Sequence, residues 1–413
     1  MTTAVTAAPH HSATLDGCID QRVEDRARHT SEWFTREAER IAKLCHALAR
    51  RFARGGRLLA LGDTLAARSD ARHVAVEFVH PVIVGKRALP ALALTGTVGE
   101  AVGDVRVLAQ PDDIGFAFGT DPQLADAIDV ARRRGCLTIS FSDLGAEWMF
   151  LPPGDDPLVQ QELVETLYHI VWELVHVFFE HRGLLDDAPP AATSDGGAAS
   201  FLYPFLASAE RGLDDVIADV ARSVVMKANE VTILRGATIG DQGTAARRAL
   251  FAAAHVLRDA FDAGHKLLAF GNGGSATDAM DAAADYRSPP HGWPARPALD
   301  LSDDSSILTA LANDIGPEVL FSRQIIAHGR TGDVAMAFST SGGSRNIIHG
   351  LEEARRRGLA TIAFVGYDGG RIAAEGLADC VIVSPSQHVP RVQEAQAAAH
   401  HVLRELVEGA STP

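Results

Sequence analysis

Apolar residues follow two alternating rhythms along this chain: long stretches with helical spacing, and short unbroken runs that succeed them. Helical spacing covers Ser31 to Phe52 in the first half, then Asp215 to Val231 and Ala245 to Ala263 in the second. Each stretch ends at glycine, an ordinary helix stop, and passes into a short strand. The strands are GGRLLALGD at Gly55 to Asp63 and AGHKLLAFGN at Ala263 to Asn272. A helix of small residues follows each, then PALAL at Pro90 to Leu94 and PALDL at Pro297 to Leu301. DIGFAFGT at Asp113 to Thr120 is answered by DVAMAFST at Asp333 to Thr340, and the helices after them end in ARRRG from Ala131 and Ala354. Both halves close with a helix that opens on Gln-Glu, at Gln161 and Gln393.

Strands of this length alternating with helices predict parallel sheets covered on both faces. The expected fold class is α/β: two tandem doubly wound, flavodoxin-like domains with flanking helices. Five matched words in one order predict an internal repeat. LLDDAPPAATSDGGAAS, at Leu184 to Ser200, is too small and polar to bury surface and reads as a linker. It would divide a first domain, 1–183, from a second, 201–413. Residues up to about His11 read as an unstructured tail.

Composition narrows the function. Lys and Arg total 38 against 53 Asp and Glu among 413 residues, a net charge of −15, which opposes general nucleic-acid binding. A local cluster of N–H donors can still hold a small anion. Cys18, Cys45, Cys136 and Cys380 form no CxxC pair, against a disulfide framework or a structural zinc site. Met1 to Gly17 lacks the basic-then-apolar order of a leader, and no apolar run is long enough to span a membrane. The expectation is a soluble cytoplasmic protein with no membrane or nucleic-acid partner.

Two loops carry candidate chemistry. Gly271-Asn272-Gly273-Gly274-Ser275 follows a strand and opens a helix, as does Ser339-Thr340-Ser341-Gly342-Gly343-Ser344. Glycines let several backbone N–H groups face one anion, and a helix N-terminus adds positive potential. Both loops fall beyond strand carboxyl ends, where doubly wound sheets bind ligands. Neither has the spacing of a dinucleotide fingerprint or a Walker loop. Together they predict phosphate binding through Asn272, Gly273, Gly274, Ser275, Ser339, Thr340, Ser341 and Ser344. Asp303, Asp304 and Asp314 lie near enough in sequence to meet sugar hydroxyls, or to be ordinary loop acids.

GNGGSATDAMDAAADY, the STSGGS loop, AND before FSR at Asn313 to Arg323, and the QE-led final helix resemble phosphoheptose isomerase, a member of the sugar isomerase (SIS) superfamily. The resemblance covers Phe201 to Gly409, with a fainter copy over Ser31 to His181. It implies conversion of sedoheptulose 7-phosphate to an aldoheptose phosphate through an enediol, with a carboxylate and an imidazole moving protons. The family's D-A-x-H-x-x-x-E helix motif survives as Asp70 to Glu77, placing His73 and Glu77 on one helix face. In the second half the same positions read Asp281 and Asp285. The family's Gln and later His on the closing helix appear as Gln161 with His169 and Gln393 with His401. Some relatives hold zinc at the His, Glu, Gln, His quartet, here His73, Glu77, Gln161 and His169; zinc is admitted but not required, glutamine being a poor ligand. Gln393 is expected to bind substrate or to pack.

The halves depart from the family in complementary ways. In the first, Asp63 and Asp121 stand in the loops and would repel phosphate, and Pro122 removes a donor. The second keeps both loops but lacks the His-Glu pair. Pro81 and Pro289 replace a family arginine, and Leu158 and Pro390 a family aspartate. Family members are tetramers with shared sites, which implies a composite site here: the second half supplies the phosphate cradle, the first Glu77 and a histidine. A dimer of this chain would then imitate the tetramer. The competing arrangement uses Asp285 and His401 within the second half. A regulator or scaffold that binds phosphosugars without catalysis is the alternative function.

Overall fold

The computed structural model describes residues 10–82, 85–185, 212–289 and 292–409. The expected tail before His10, and the expected linker beyond residue 185, lie outside the described residues. The first half runs α1 (His10–Ala53), β1 (Leu58–Gly62), α2 (Leu65–Val79), β2 (Ala91–Leu94), α3 (Val98–Leu108), β3 (Ile114–Phe118), α4 (Pro122–Arg133), β4 (Leu137–Ser140), β5 (Trp148–Met149) and α5 (Pro157–Glu180). The second runs α6 (Leu213–Ile239), α7 (Ala245–Asp262), β6 (Leu267–Phe270), α8 (Gly274–Arg287), β7 (Ala298–Asp300), α9 (Ser305–Asp314), α10 (Leu320–His328), β8 (Val334–Ser339), α11 (Arg345–Arg356), β9 (Ala360–Gly366), α12 (Gly370–Ala374), β10 (Cys380–Ser384) and α13 (Val389–Glu408).

Both sheets are five-stranded and parallel throughout, β2-β1-β3-β4-β5 and β7-β6-β8-β9-β10. The fold class read from the sequence is therefore the one observed. In each sheet the connections turn in opposite directions between the first and third strands, so a crevice opens beyond the carboxyl ends of β1 and β3, and of β6 and β8. Unbroken burial along β1, β3, β6 and β8 explains their unbroken apolar runs.

Helix α1 begins far earlier than the periodicity of Ser31 to Phe52 predicts. Its leading part hides a polar face, with Arg26 and Thr30 buried, so no apolar stripe announces it. In the second half α6 stops at Gly240, whose φ of 76° suits glycine, and α7 restarts on Thr244, whose hydroxyl accepts from Arg247 N.

The leading helices cross between the halves. Ile19 of α1 packs with Leu250 and Leu257 of α7, and Asp20 pairs with Arg247 at 2.8 Å. In exchange Val216, Val220, Val224 and Ala228 of α6 join the core formed by Trp33, Leu48 and Trp172. Helices α2 and α8 meet at Ser69, whose hydroxyl donates to Thr277 O at 2.9 Å. The closing helices α5 and α13 lie between the sheets, almost wholly buried. Among the described residues no helix is long and apolar enough to cross a membrane.

Candidate functional site

The chain leaving β6 turns through Gly271 to Gly274 into α8. A Cβ at Gly271 would stand 1.9 Å from Ser275 O, and one at Gly274 1.9 Å from Gln393 Nε2 and 2.9 Å from His73 Nε2. Only glycine lets this loop close on its own helix and on the other half. Asn272 and Asn346 exchange amide hydrogen bonds at 2.9 and 2.8 Å, tying this loop to the first turn after STSGGS. Beside the loop is a cleft of about 240 Å³. Asn272 to Ser275, Thr340 and Gln393 line one side, and Glu77 and His80 of the first half line the other.

Behind the cleft stands a cluster of buried polar groups. His73 Nε2 lies 3.2 Å from His169 Nε2 and 3.1 Å from Gln393 Nε2, while its Nδ1 is 3.0 Å from the Tyr168 hydroxyl. His169 Nδ1 donates to Glu394 Oε1 at 3.0 Å, which leaves its Nε2 lone pair aimed at His73. Burial holds both imidazoles well below their ordinary pKa, helped at His73 by the His169 ring and at His169 by the Arg391 guanidinium. Burial pushes Glu77 up to about 8, helped by the charges of Glu173 and Glu394. Oxygens of Glu77 and Glu165 are buried without hydrogen-bond partners. His73, Glu165 and His169 offer donor atoms within 4.8 Å of one another. Two converging imidazoles with an unpartnered carboxylate suit zinc.

A second, different assembly occupies the corresponding place across the molecule. Gln161 Nε2 donates to Asp281 Oδ1 at 3.1 Å, and His401 Nδ1 donates to Glu162 Oε1 at 2.9 Å. These contacts mirror Gln393 with His73 and His169 with Glu394. Burial raises Glu162 and Arg26 outweighs it, holding the carboxylate down to about 2; Arg26 meets it at 3.0 Å and Glu405 at 3.1 Å. His401 is raised: burial lowers it, but its bond to Glu162 and the charge of Asp285 overcome that.

The residues singled out in the sequence are thus distributed unevenly. Glu77, Asn272, Gly273, Gly274, Ser275, Thr340 and Gln393 share the cleft. His73 and His169 stand immediately behind it. Gln161 is not with them; the quartet is divided because Gln393 of the second half stands beside His73 instead. Asp285 opens onto another cavity, with His401 at its back. Ser339 and Ser341 accept from the loop's own Gly342 and Gly343 amides, so they shape the turn. Ser344 precedes α11, and Asp303 pairs with Arg72 outside the cleft lining. Tyr168, Glu165 and Asn346 escaped sequence reasoning. Glu162 and Glu394 did leave a signal, as the Glu of the repeated QE.

Gly274→Ala is expected to strain the cleft by about 1–3 kcal/mol, since the methyl displaces Gln393. Calorimetric titration with a sugar phosphate should show affinity falling about 10–100-fold, with the melting midpoint lowered by a few degrees by the same strain. Unaltered affinity would separate this loop from the binding site.

A family model described as SIS domain matches residues 240–366. Over 162 residues the chain is 46% identical to the phosphoheptose isomerase of Chlorobium phaeobacteroides, covering 38% of this chain and 70% of that one. The phosphoheptose isomerase of Paramagnetospirillum magneticum is 42% identical over 180 residues, 43% of this chain and 91% of its own. Among solved structures, the C-terminal domain of glucosamine-fructose-6-phosphate aminotransferase from Francisella tularensis spans 94% of this chain and 95% of its own, with a TM-score of 0.55 at 11% identity. That last likeness speaks for the fold alone.

Proposed function

Because the chain belongs to the phosphoheptose isomerase family of SIS-domain proteins, we propose that it is a phosphosugar aldose–ketose isomerase whose working site is shared by its two halves. The observation that carries this reading is Glu77 on the wall of the cleft that Gly271 to Ser275 closes from the other half. In this reading the amides at the start of α8, with Asn272, Ser275 and Thr340, hold the phosphate, and that remote binding energy orients the carbonyl end. Glu77 takes the proton alpha to the carbonyl and returns it to the neighbouring carbon of the enediol. Its raised pKa leaves it basic enough to abstract and acidic enough to return. His169, held by Glu394, serves the carbonyl oxygen through His73, and Gln393 orients the sugar. In place of that relay, His73, Glu165 and His169 would hold a zinc ion, with Glu77 adjacent. When bound, that ion would polarise the substrate carbonyl as a Lewis acid. Asp285 and His401, set on the far cavity, belong to the competing arrangement.

The matched contacts of the two halves support descent from one duplicated unit, the first copy having lost its phosphate loops. Two chains then complete what four single-unit chains complete in the family. Heavy-water exchange tests the function: an isomerase exchanges the substrate's alpha proton with solvent, whereas a regulator binds sugar phosphate and leaves it in place. Tight binding with no exchange would reject the enzyme in favour of the sensor.

A further inference from the structure

The second cavity, about 330 Å³, opens beyond the carboxyl ends of β1 and β3 and reaches α8 of the second half. Its loop already holds an anion belonging to the chain itself. Asp63 Oδ2 accepts from Thr120 N at 2.8 Å and from Asp121 N at 2.7 Å, taking the amides that would face a phosphate. The first turns of α2 and α4 are capped as well, Ala67 N by the Thr64 hydroxyl and Gln123 N by the Asp121 carboxylate. Asn272, which follows the corresponding glycine in the second half, turns instead to Asn346. A phosphate entering the first half therefore meets engaged amides and a resident negative charge.

The rest of the cavity is amphipathic in the opposite sense. Leu65, Phe118, Phe141 and Leu158 give it apolar walls, and the rings of Phe118 and Phe141 stack with centroids 4.9 Å apart. Its charged lining residues are Asp70 and Asp285; no lysine, arginine or histidine is among them. Both acids are buried, 6% and 4% exposed. Asp70 accepts from the Tyr168 hydroxyl at 3.3 Å, while Asp285 Oδ2 has no hydrogen-bond partner. The basic groups behind Asp285 stand off from it, His400 Nδ1 at 3.5 Å and His401 Nε2 at 3.6 Å. His401 also gives its Nδ1 to Glu162, and Arg404 is committed to Glu408 at 2.8 Å. Buried carboxyls are stabilised by a partner that brings both charge and donors. A guest with an apolar body and a cationic end would match the walls and the acids together.

We propose that this cavity, which Asp63 closes to phosphate, binds a small organic cation: a protonated amine on an aromatic or alkyl body. The ammonium group meets Asp285 and Asp70, and the body lies against Phe118 and Phe141. An occupant would touch α8, the helix whose first turn, at Gly274, closes the phosphosugar cleft. The inference does not rest on the isomerase reading, because its measurement needs no turnover. The full chain is titrated calorimetrically with phenethylamine and hexylamine, and with phenethyl alcohol and phenylpropionate as neutral and anionic counterparts. Each amine is expected to bind at least about tenfold tighter than either counterpart, and inorganic phosphate is expected not to displace it. Asp285→Asn should weaken phenethylamine at least about tenfold. Leu65→Trp, at the half-buried start of α2, should exclude the amine by filling the cavity, and serves if the asparagine variant misfolds. Equal affinity for amine and alcohol would overturn the proposal. Binding left intact by both variants, or no binding of either amine at millimolar concentration, would overturn it as well.

Discussion

Glu77→Gln is expected to slow isomerisation about 10²–10⁴-fold while changing sugar-phosphate affinity by less than about threefold. Glutamine keeps the size of the side chain and abolishes its basicity. The carboxyl lies on the cleft wall with an oxygen that nothing else in the chain engages, so its removal breaks no internal bond at that atom. The pH profile supplies an independent mark. A base works only when ionised, and burial pushes Glu77 up to about 8. The kcat/KM of the unsubstituted chain should therefore rise about tenfold per pH unit below that value and level off above it. The glutamine variant should lack this limb. Full turnover in the variant would remove Glu77 from the chemistry.

Arg26→Ala is expected to cost about 3–5 kcal/mol of stability, because it removes the buried cation that two buried carboxylates share and leaves Glu162 with His401 and Glu405 with the half-exposed Arg22. The guanidinium meets Glu162 through Nε at 3.0 Å and Glu405 through Nη2 at 3.1 Å, with about 3% of the side chain exposed. Glu162 in turn orients His401. Urea unfolding should show a lower midpoint at an unchanged slope, which reports stability rather than denatured-state compactness. Arg26→Lys should recover only part of the loss, since an ammonium cannot present the planar fork that spans both acids. A change below about 1 kcal/mol would mean water reaches the carboxylates and replaces the arginine.

The fold was legible because buried strands and glycine stops are local signals. LLAL, IGFAF, LLAF and VAMAFS each report burial on both faces through their own composition. The phosphate-type loops were legible for a similar reason: Gly271 and Gly274 stand where a Cβ would collide. The partnership of Gln393 with His73 was not legible, because 320 residues separate them and no local rule fixes which half a closing helix faces. Helix α1 was underestimated where its hidden face is charged. Arg26 reads as a solvent-facing residue until Glu162 and Glu405 are brought to it. Asp63 reads from the sequence as hostile to phosphate, but its place on the Thr120 and Asp121 amides needed coordinates.

The crossing of α1 and α6 has a consequence during synthesis. The groove filled by Val216, Val220, Val224 and Ala228 belongs to segments that leave the ribosome earlier, among them Trp33, Leu48 and Trp172. At about 5–20 residues per second, the nascent first half waits on the order of seconds with that furrow uncovered. Separately translated halves would each emerge with an open seam, and would be expected to become soluble only when made together.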